Sequence, residues 1–180
     1  SETQDEGVAI DNIWIGERSR ILLFEHFTNN SSTQSATVNA TINDIINKHI
    51  LDIVDIQYHT NFPGVDPFNE ANPFVPSARS LYYGVSTVPS SILDGTRFYD
   101  YTNNSFVLND LKKKVLEDPE FSIELSTALS SNSLQVNTTI ESQIDTTEID
   151  INVNVAIIER IVTDINAENG EIEFESVLRE

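Results

Sequence analysis

Two short β-rich runs flanking one helical stretch constrain this chain more than any other feature. Ile21-Leu22-Leu23-Phe24-Glu25-His26-Phe27 has the length and composition of a buried strand. Polar residues 28–32 follow, and then Ala36, Val38, Ala40, Ile42, Ile45, Ile46 and Ile50 recur at mixed three- and four-residue spacing. That spacing gathers apolar side chains on one face of a helix. Ile53-Val54-Asp55-Ile56-Gln57-Tyr58-His59 supplies a second strand. Residues 21–59 therefore form a βαβ unit, with parallel strands and a right-handed crossover.

The stretch 60–77 carries Pro63, Pro67, Pro73 and Pro76 with Gly64, too many breakers for regular structure, and reads as a long surface loop. Residues 78–84 can form a short helix, and Val85 to Pro89 lead into a strand at 90–93. Asp94-Gly95 followed by Thr96-Arg97-Phe98-Tyr99 signals a hairpin. Phe106 to Leu116 reads as a helix stopped by Asp118-Pro119. Beyond it the pattern alternates with period two, at Phe121, Ile123 and Leu125, at Leu134 and Val136, and at Ile149, Ile151, Val153, Val155 and Ile157. These predict half-buried strands. Asn169-Gly170 is a type I′ pair within a longer loop joining the 157–161 and 172–178 regions.

The expected organisation is an N-terminal arm or tether at 1–20, an α/β domain at 21–117 and a β-rich, sandwich-like module at 118–180. About four strands in that module leave one sheet face to cover, either by the first domain or by strands following Glu180.

With 29 acidic residues against 10 Lys and Arg, the 180-residue chain has a formal net charge of −19. Nucleic acid is not an expected partner, because phosphate binding needs a basic footprint. The one basic cluster, Lys112-Lys113-Lys114, reads as a solvated helix face suited to the negative end of the helix dipole. No apolar run approaches the ~20 residues of a membrane-spanning helix, so membrane association is expected only through a signal or anchor that has been removed. The chain contains no cysteine, which rules out disulfides, a thiol nucleophile and thiolate metal sites.

The order strand, Phe27-Thr28, Ser32-x-x-Ser35, helix, strand, long loop, then Val88-Pro89 before a strand resembles the thioredoxin fold. More closely, the chain resembles the outer-membrane-protein-28-like family of bacterial envelope proteins. The matching residues are Glu25-His26-Phe27-Thr28, Tyr58-His59-Thr60, Asp66-Pro67, Arg79 with Tyr82-Tyr83-Gly84-Val85, and the run from Val88 to Gly95. Val155 to Glu159, Asn169-Gly170 and Val177-Leu178-Arg179 extend the likeness to about residues 18–179. The resemblance implies a thioredoxin-like domain in the cell envelope, a Cys-x-x-Cys at positions 32 and 35, and a cis proline at 89 facing that loop. Here Ser32 and Ser35 stand at both cysteine positions. A hydroxyl has neither the accessible anion nor the disulfide chemistry of a thiolate.

Ser32 and Ser35 then have two readings. They can simply cap the helix that follows. Alternatively, with Thr33, Gln34, Val88 and Pro89, they line a polar pocket for an anion or a peptide backbone, Pro89 leaving neighbouring main chain free for strand addition. Phe62, Phe68 and Phe74 among the prolines offer a partner surface, or else pin the loop to the core. His26 and His59, near the ends of adjacent strands, could approach one another with Asp55 or Glu25 as a metal site, yet no third ligand has helical spacing. A Ser32–His59 hydrolase lacks the Gly-x-Ser-x-Gly elbow. Residues 164–170 superficially resemble a calcium loop but are misplaced for an EF-hand. Trp14, with Ile10, Ile13 and Ile15, packs an arm onto the body or meets a partner. Asn29, Asn30, Asn39, Asn103 and Asn137 begin glycosylation triplets.

The expectation is a non-catalytic binding or structural protein of the cell envelope, without a cofactor or metal, whose partner is a protein or peptide. The alternative is a non-thiol enzyme using Ser32 and His59, or His26 and His59.

Overall fold

The computed structural model describes residues 20–48, 52–98, 111–147, 150–163 and 165–180. Its centre is the expected βαβ unit. Strand β1 (Leu22–Thr28) pairs in parallel with β2 (Ile53–His59), joined by helix α1 (Thr33–Lys48). Both strands are enclosed almost throughout, as expected where a parallel pair is covered on two faces. Even-numbered positions of β1 face α1, where Leu22 and Phe24 join Val38, Ile42, Ile45 and Ile46 of the helix in one cluster. Phe27 faces the other way, with Ile56, Tyr58, Val85 and Ile92. Helical residues 111–115 close the first cluster through Leu111 and Val115, while Lys112 and Lys113 stay exposed.

Strand β3 (Ser90–Leu93) runs antiparallel to β1, and β4 (Thr96–Phe98) antiparallel to β3. The turn between them has φ of 45° at Asp94 and 74° at Gly95, the two left-handed residues that a type I′ hairpin demands. Of the expected helix over 106–116, residues 111–115 are helical and Leu116 is an exposed turn residue; residues 106–110 lie outside the described residues, as do the arm through residue 19, Asn103 and Ile149.

The stretch 60–77 is a loop only as far as Asp66, and two helices occupy most of the rest. Asp66 accepts hydrogen bonds from the amides of Phe68 and Asn69 and so caps α2 (Pro67–Ala71), whose first residue is a proline. Helix α3 (Phe74–Tyr83) follows at once and ends on Gly84, left-handed at φ 64°. Proline in a first helical turn has no amide hydrogen to lose and a φ already suited to the helix. Of the four prolines that suggested a loop, Pro67, Pro73 and Pro76 therefore lie at helix starts, and only Pro63 lies in irregular chain. The loop phenylalanines separate accordingly: Phe68 is 3% exposed, Phe62 packs half-buried beneath the sheet, and Phe74 is 84% exposed.

The stretch 118–180 does not form one module but is divided between two sheets. Strands β5 (Phe121–Leu129) and β6 (Leu134–Ser142) make a separate antiparallel ribbon, largely exposed rather than half-buried. Strand β7 (Ile158–Thr163) pairs with β8 (Glu173–Leu178), and β8 lies parallel to β2, completing a six-stranded sheet of order β4-β3-β1-β2-β8-β7. Residues 150–157, expected as a strand, belong to neither sheet, and Ile151, Val153 and Val155 are exposed. Phe174 and Val177 of β8 instead bury themselves with Phe68 and Val162.

Candidate functional site

The turn before α1 is held from three directions. Asn29 Oδ1 accepts from the Ser31 amide, while Asn29 Nδ2 donates to the carbonyls of Thr60 and Gly64. The Asn30 amide donates to Asp66 Oδ2, and Ser31 Oγ donates to the Val65 carbonyl. From the β7–β8 loop, the Asn169 amide donates to the Asn30 carbonyl and Asn169 Nδ2 to that of Ser32.

Helix α1 starts at Thr33, and Ser32 is its cap: Ser32 Oγ accepts from the Ser35 amide at 3.1 Å, and its carbonyl accepts from the Ala36 amide. Ser35 is fully buried, and its hydroxyl has no hydrogen-bond partner among the described residues. Thr33 and Gln34 are exposed. The Val88–Pro89 peptide is cis, as the resemblance implied, and Phe62–Pro63 is a second cis peptide that the sequence did not announce. The register Ser90↔Phe27 sets Val88 and Pro89, both half-buried, at the end of the sheet where β1 runs into this turn.

The two histidines take separate environments rather than sharing a site. Fully buried, His26 donates from Nε2 to Asn39 Oδ1 at 2.8 Å and accepts at Nδ1 from the Ser91 hydroxyl at 2.6 Å. Burial pushes its pKa down to about 4 against the help of Asn39, with repulsion from His59 a smaller cause. Asn39 also donates to Glu171 of the β7–β8 loop. His59 Nδ1 donates to Asp66 Oδ2 at 2.8 Å, and its ring packs on Phe68 and Phe174. Its Nε2 is buried and has no hydrogen-bond partner among the described residues. Asp55 bonds to Ser176 instead of to a histidine, and burial raises its pKa. Among the described residues no three His, Asp or Glu side chains come together as metal ligands.

Glu25 belongs to a network that sequence reasoning did not assemble. Its carboxylate is 1% exposed on the face away from α1, where it accepts from Arg79 at both oxygens, from Tyr83 Oη at 2.7 Å and from Tyr58 Oη at 3.1 Å. Burial, followed by the Glu25 charge and hydrogen bond, raises both phenol pKa values, and the hydrogen bond to Glu25 raises that of Arg79. All four residues lay in motif blocks noted above; an acid in an otherwise apolar strand was the available signal.

Of the glycosylation triplets, those at Asn29, Asn30 and Asn39 have buried asparagines, whereas Asn137 is exposed on β6.

No family model matches this chain, and no curated protein does. Solved structures similar in fold include the following two. HBP35 of Porphyromonas gingivalis superposes with a TM-score of 0.71 at 13% identity, over 92% of this chain and 57% of its own. A structural-genomics protein of Agrobacterium tumefaciens superposes with a TM-score of 0.59 at 12% identity, over 91% of this chain and 72% of its own. This chain thus spans little more than half of HBP35, and the likeness is one of mixed α/β fold.

Proposed function

We propose that this chain is a non-catalytic binding or structural protein of the cell envelope, built on a thioredoxin-like unit without redox chemistry. The β4-β3-β1-β2 order with α1 on one face and the HBP35 superposition support the fold half of that reading. Assignment to the envelope rests on the motif resemblance. The observation that carries the loss of chemistry is the use of the two serines. Ser32 Oγ serves the backbone of its own helix, and Ser35 Oγ is enclosed. What solvent reaches at this end of the sheet is Thr33, Gln34 and the half-buried Val88-Pro89 segment, which precedes the β3 ladder. A protein or peptide segment laid along 86–89 would meet a main chain not yet committed to a strand.

The test is a spectral titration of the isotope-labelled protein with a set of extended peptides. Shifts concentrated at Thr33, Gln34 and Val88, and lost in Val88→Glu, support the reading; shifts confined to other faces with every peptide oppose it. One observation favours the enzymatic alternative, the His59–Asp66 pair, whose Nε2 has no partner among the described residues. Yet His59 and Ser35 are both shut away from solvent, and Ser32 Oγ is engaged in the cap. Ester turnover abolished by Ser32→Ala or His59→Gln would establish that alternative.

A further inference from the structure

Strand β8 accompanies β7 but not the residues that lead into it. From Thr163↔Glu173 to Ile158↔Leu178 the two strands keep one antiparallel register. The pairing ends at Ile157, whose amide donates to the Glu180 carbonyl and whose carbonyl accepts from the Arg179 amide. Residues 150–156 have the pattern of a strand, with Ile151, Val153 and Val155 alternating with Asp150, Asn152 and Asn154. Yet they belong to no sheet and make no main-chain hydrogen bond with the described residues. Both main-chain polar groups of Ile157 point towards β8, and in a strand those of every second residue share an edge. Val155, Val153 and Ile151 therefore present their amides and carbonyls to the line ahead of β8, which no described strand occupies. Their side chains, 55%, 57% and 49% exposed, share one uncovered face. We infer that 150–156 is a docking edge for an extended segment of a separate partner protein. The segment adds antiparallel to this edge in line with β8, carrying apolar residues at alternate positions and a basic residue at each end.

Register and charge select this occupant. An open edge rich in β-branched residues is a template for strand addition, and the β7–β8 register fixes where the added strand lies. Asp150 stands at one end of the edge and Glu180 at the other, and neither carboxylate is paired among the described residues. The nearby Arg179 is already held by Glu159. Lysine or arginine at the two ends of the incoming segment therefore complements these acids, while Asn152 and Asn154 face uncharged polar residues between them. A second copy's own 150–156 competes for the same line. Paired across the whole edge, it would set Asp150 of each copy against Glu180 of the other, and such like-charge contacts, repeated by the two-fold, repel. The edge shares no residue with the segment 86–89 discussed above, and β1, β2 and β8 separate β7 from β3 in the sheet. The inference thus goes beyond that reading and does not depend on it.

The test follows amide hydrogen exchange, residue by residue, in the unaltered isotope-labelled protein with the end-blocked peptide Lys-Val-Thr-Val-Thr-Val-Lys. Strand addition predicts protection that alternates. At a peptide concentration about ten times the dissociation constant, the amides of Ile151, Val153 and Val155 exchange about tenfold more slowly, and those of Asn152 and Asn154 do not change. Glutamates in place of the peptide's lysines, or proline in place of its central valine, abolish the effect. Val153→Pro in the protein abolishes it too, with the amides of β7 and β8 unmoved as the sign that the sheet is intact. Protection of Asn152 and Asn154 instead, an equal effect of the glutamate peptide, or no alternation at any concentration overturns the assignment. Alternating protection without peptide also overturns it, by giving the edge to this chain or to a second copy. Effects confined to Thr33, Gln34 and Val88 overturn it as well, while leaving the reading at that other site in place.

Discussion

Arg79 holds Glu25 by two parallel contacts, Nε to Oε1 at 2.6 Å and Nη2 to Oε2 at 3.0 Å. The acid sits in the middle of the central strand and the guanidinium on α3, so this forked pair fixes the helix over the sheet. Two phenols complete the carboxylate's shell. Removing the cation leaves a buried charge, and such losses cost about 3–5 kcal/mol when no solvent can replace the partner. Arg79 is partly exposed, which brings the expectation for Arg79→Met to the low end, about 3 kcal/mol. Urea denaturation should show Glu25→Gln combined with Arg79→Met costing less than the two single changes summed, because the double change leaves no buried charge.

His26 makes stability pH-dependent in a definite direction. Its pKa is about 4 in the folded chain against 6.5 for a free imidazole, so the unfolded state binds the extra proton between those values. The contribution is complete above pH 6.5 and is lost as the pH falls towards 4, a total of about 3 kcal/mol. Below pH 4 the loss is complete. Carboxylates titrate in the same range, so the measurement is a difference. Between pH 7 and pH 4.5 the unaltered protein should lose more stability than His26→Gln, whose side chain can still donate to Asn39 but cannot take a proton. Equal losses in both proteins would remove His26 as the cause.

The βαβ centre was legible because its signals are local: a strand-length apolar run, a helical period and a second run within 39 residues, and the Asp94-Gly95 turn whose φ values only a few residue types accept. The second half of α3 was legible as the short helix expected at 78–84, whereas α2 and the first turn of α3 were not, because their prolines were counted as breakers. The same residue breaks a helix interior and starts a helix, and only the capping bonds of Asp66 distinguish the two cases. The fate of Ile151 to Val155 was missed for a different reason. Alternation says which face a strand would bury and nothing about whether a neighbouring strand exists to pair with it. At the site, Ser32 as a cap followed from residue type, but the enclosure of Ser35 and the meeting of Glu25 with Arg79, 54 residues away, are tertiary facts.

Gly64 is required by space, not by backbone angle. A Cβ there would lie 2.7 Å from Ser31 Oγ and 2.8 Å from Ser31 Cβ, closer than real contacts allow. Gly64 also presents its carbonyl to Asn29, so moving it disturbs the turn that leads into α1. Gly64→Ala should destabilise by about 1–3 kcal/mol, the usual range for overpacking. Ser31→Gly removes both clashing atoms and should recover much of the loss in the double variant, whereas Ser31→Ala keeps the Cβ and should not. Thermal denaturation of the four proteins separates these outcomes.

The geometry around Ser32 and Ser35 decides whether a pair of cysteines placed there could form a disulfide. Both side chains sit in the first turn of a long helix, three residues apart, where the free amides and the helix dipole stabilise a thiolate. Ser32→Ala alone removes the cap and should cost about 1 kcal/mol. Ser35→Ala should cost almost nothing, since its hydroxyl makes no hydrogen bond to lose. Replacing both with cysteine should therefore be tolerated and produce an intrachain disulfide. Equilibration in glutathione buffers, followed by alkylation and mass measurement, should show the pair oxidising as a unit with no dimer formed. Two thiols that alkylate independently under every buffer would mean that the turn held by Asn29 and Asn169 closes this position to disulfide exchange.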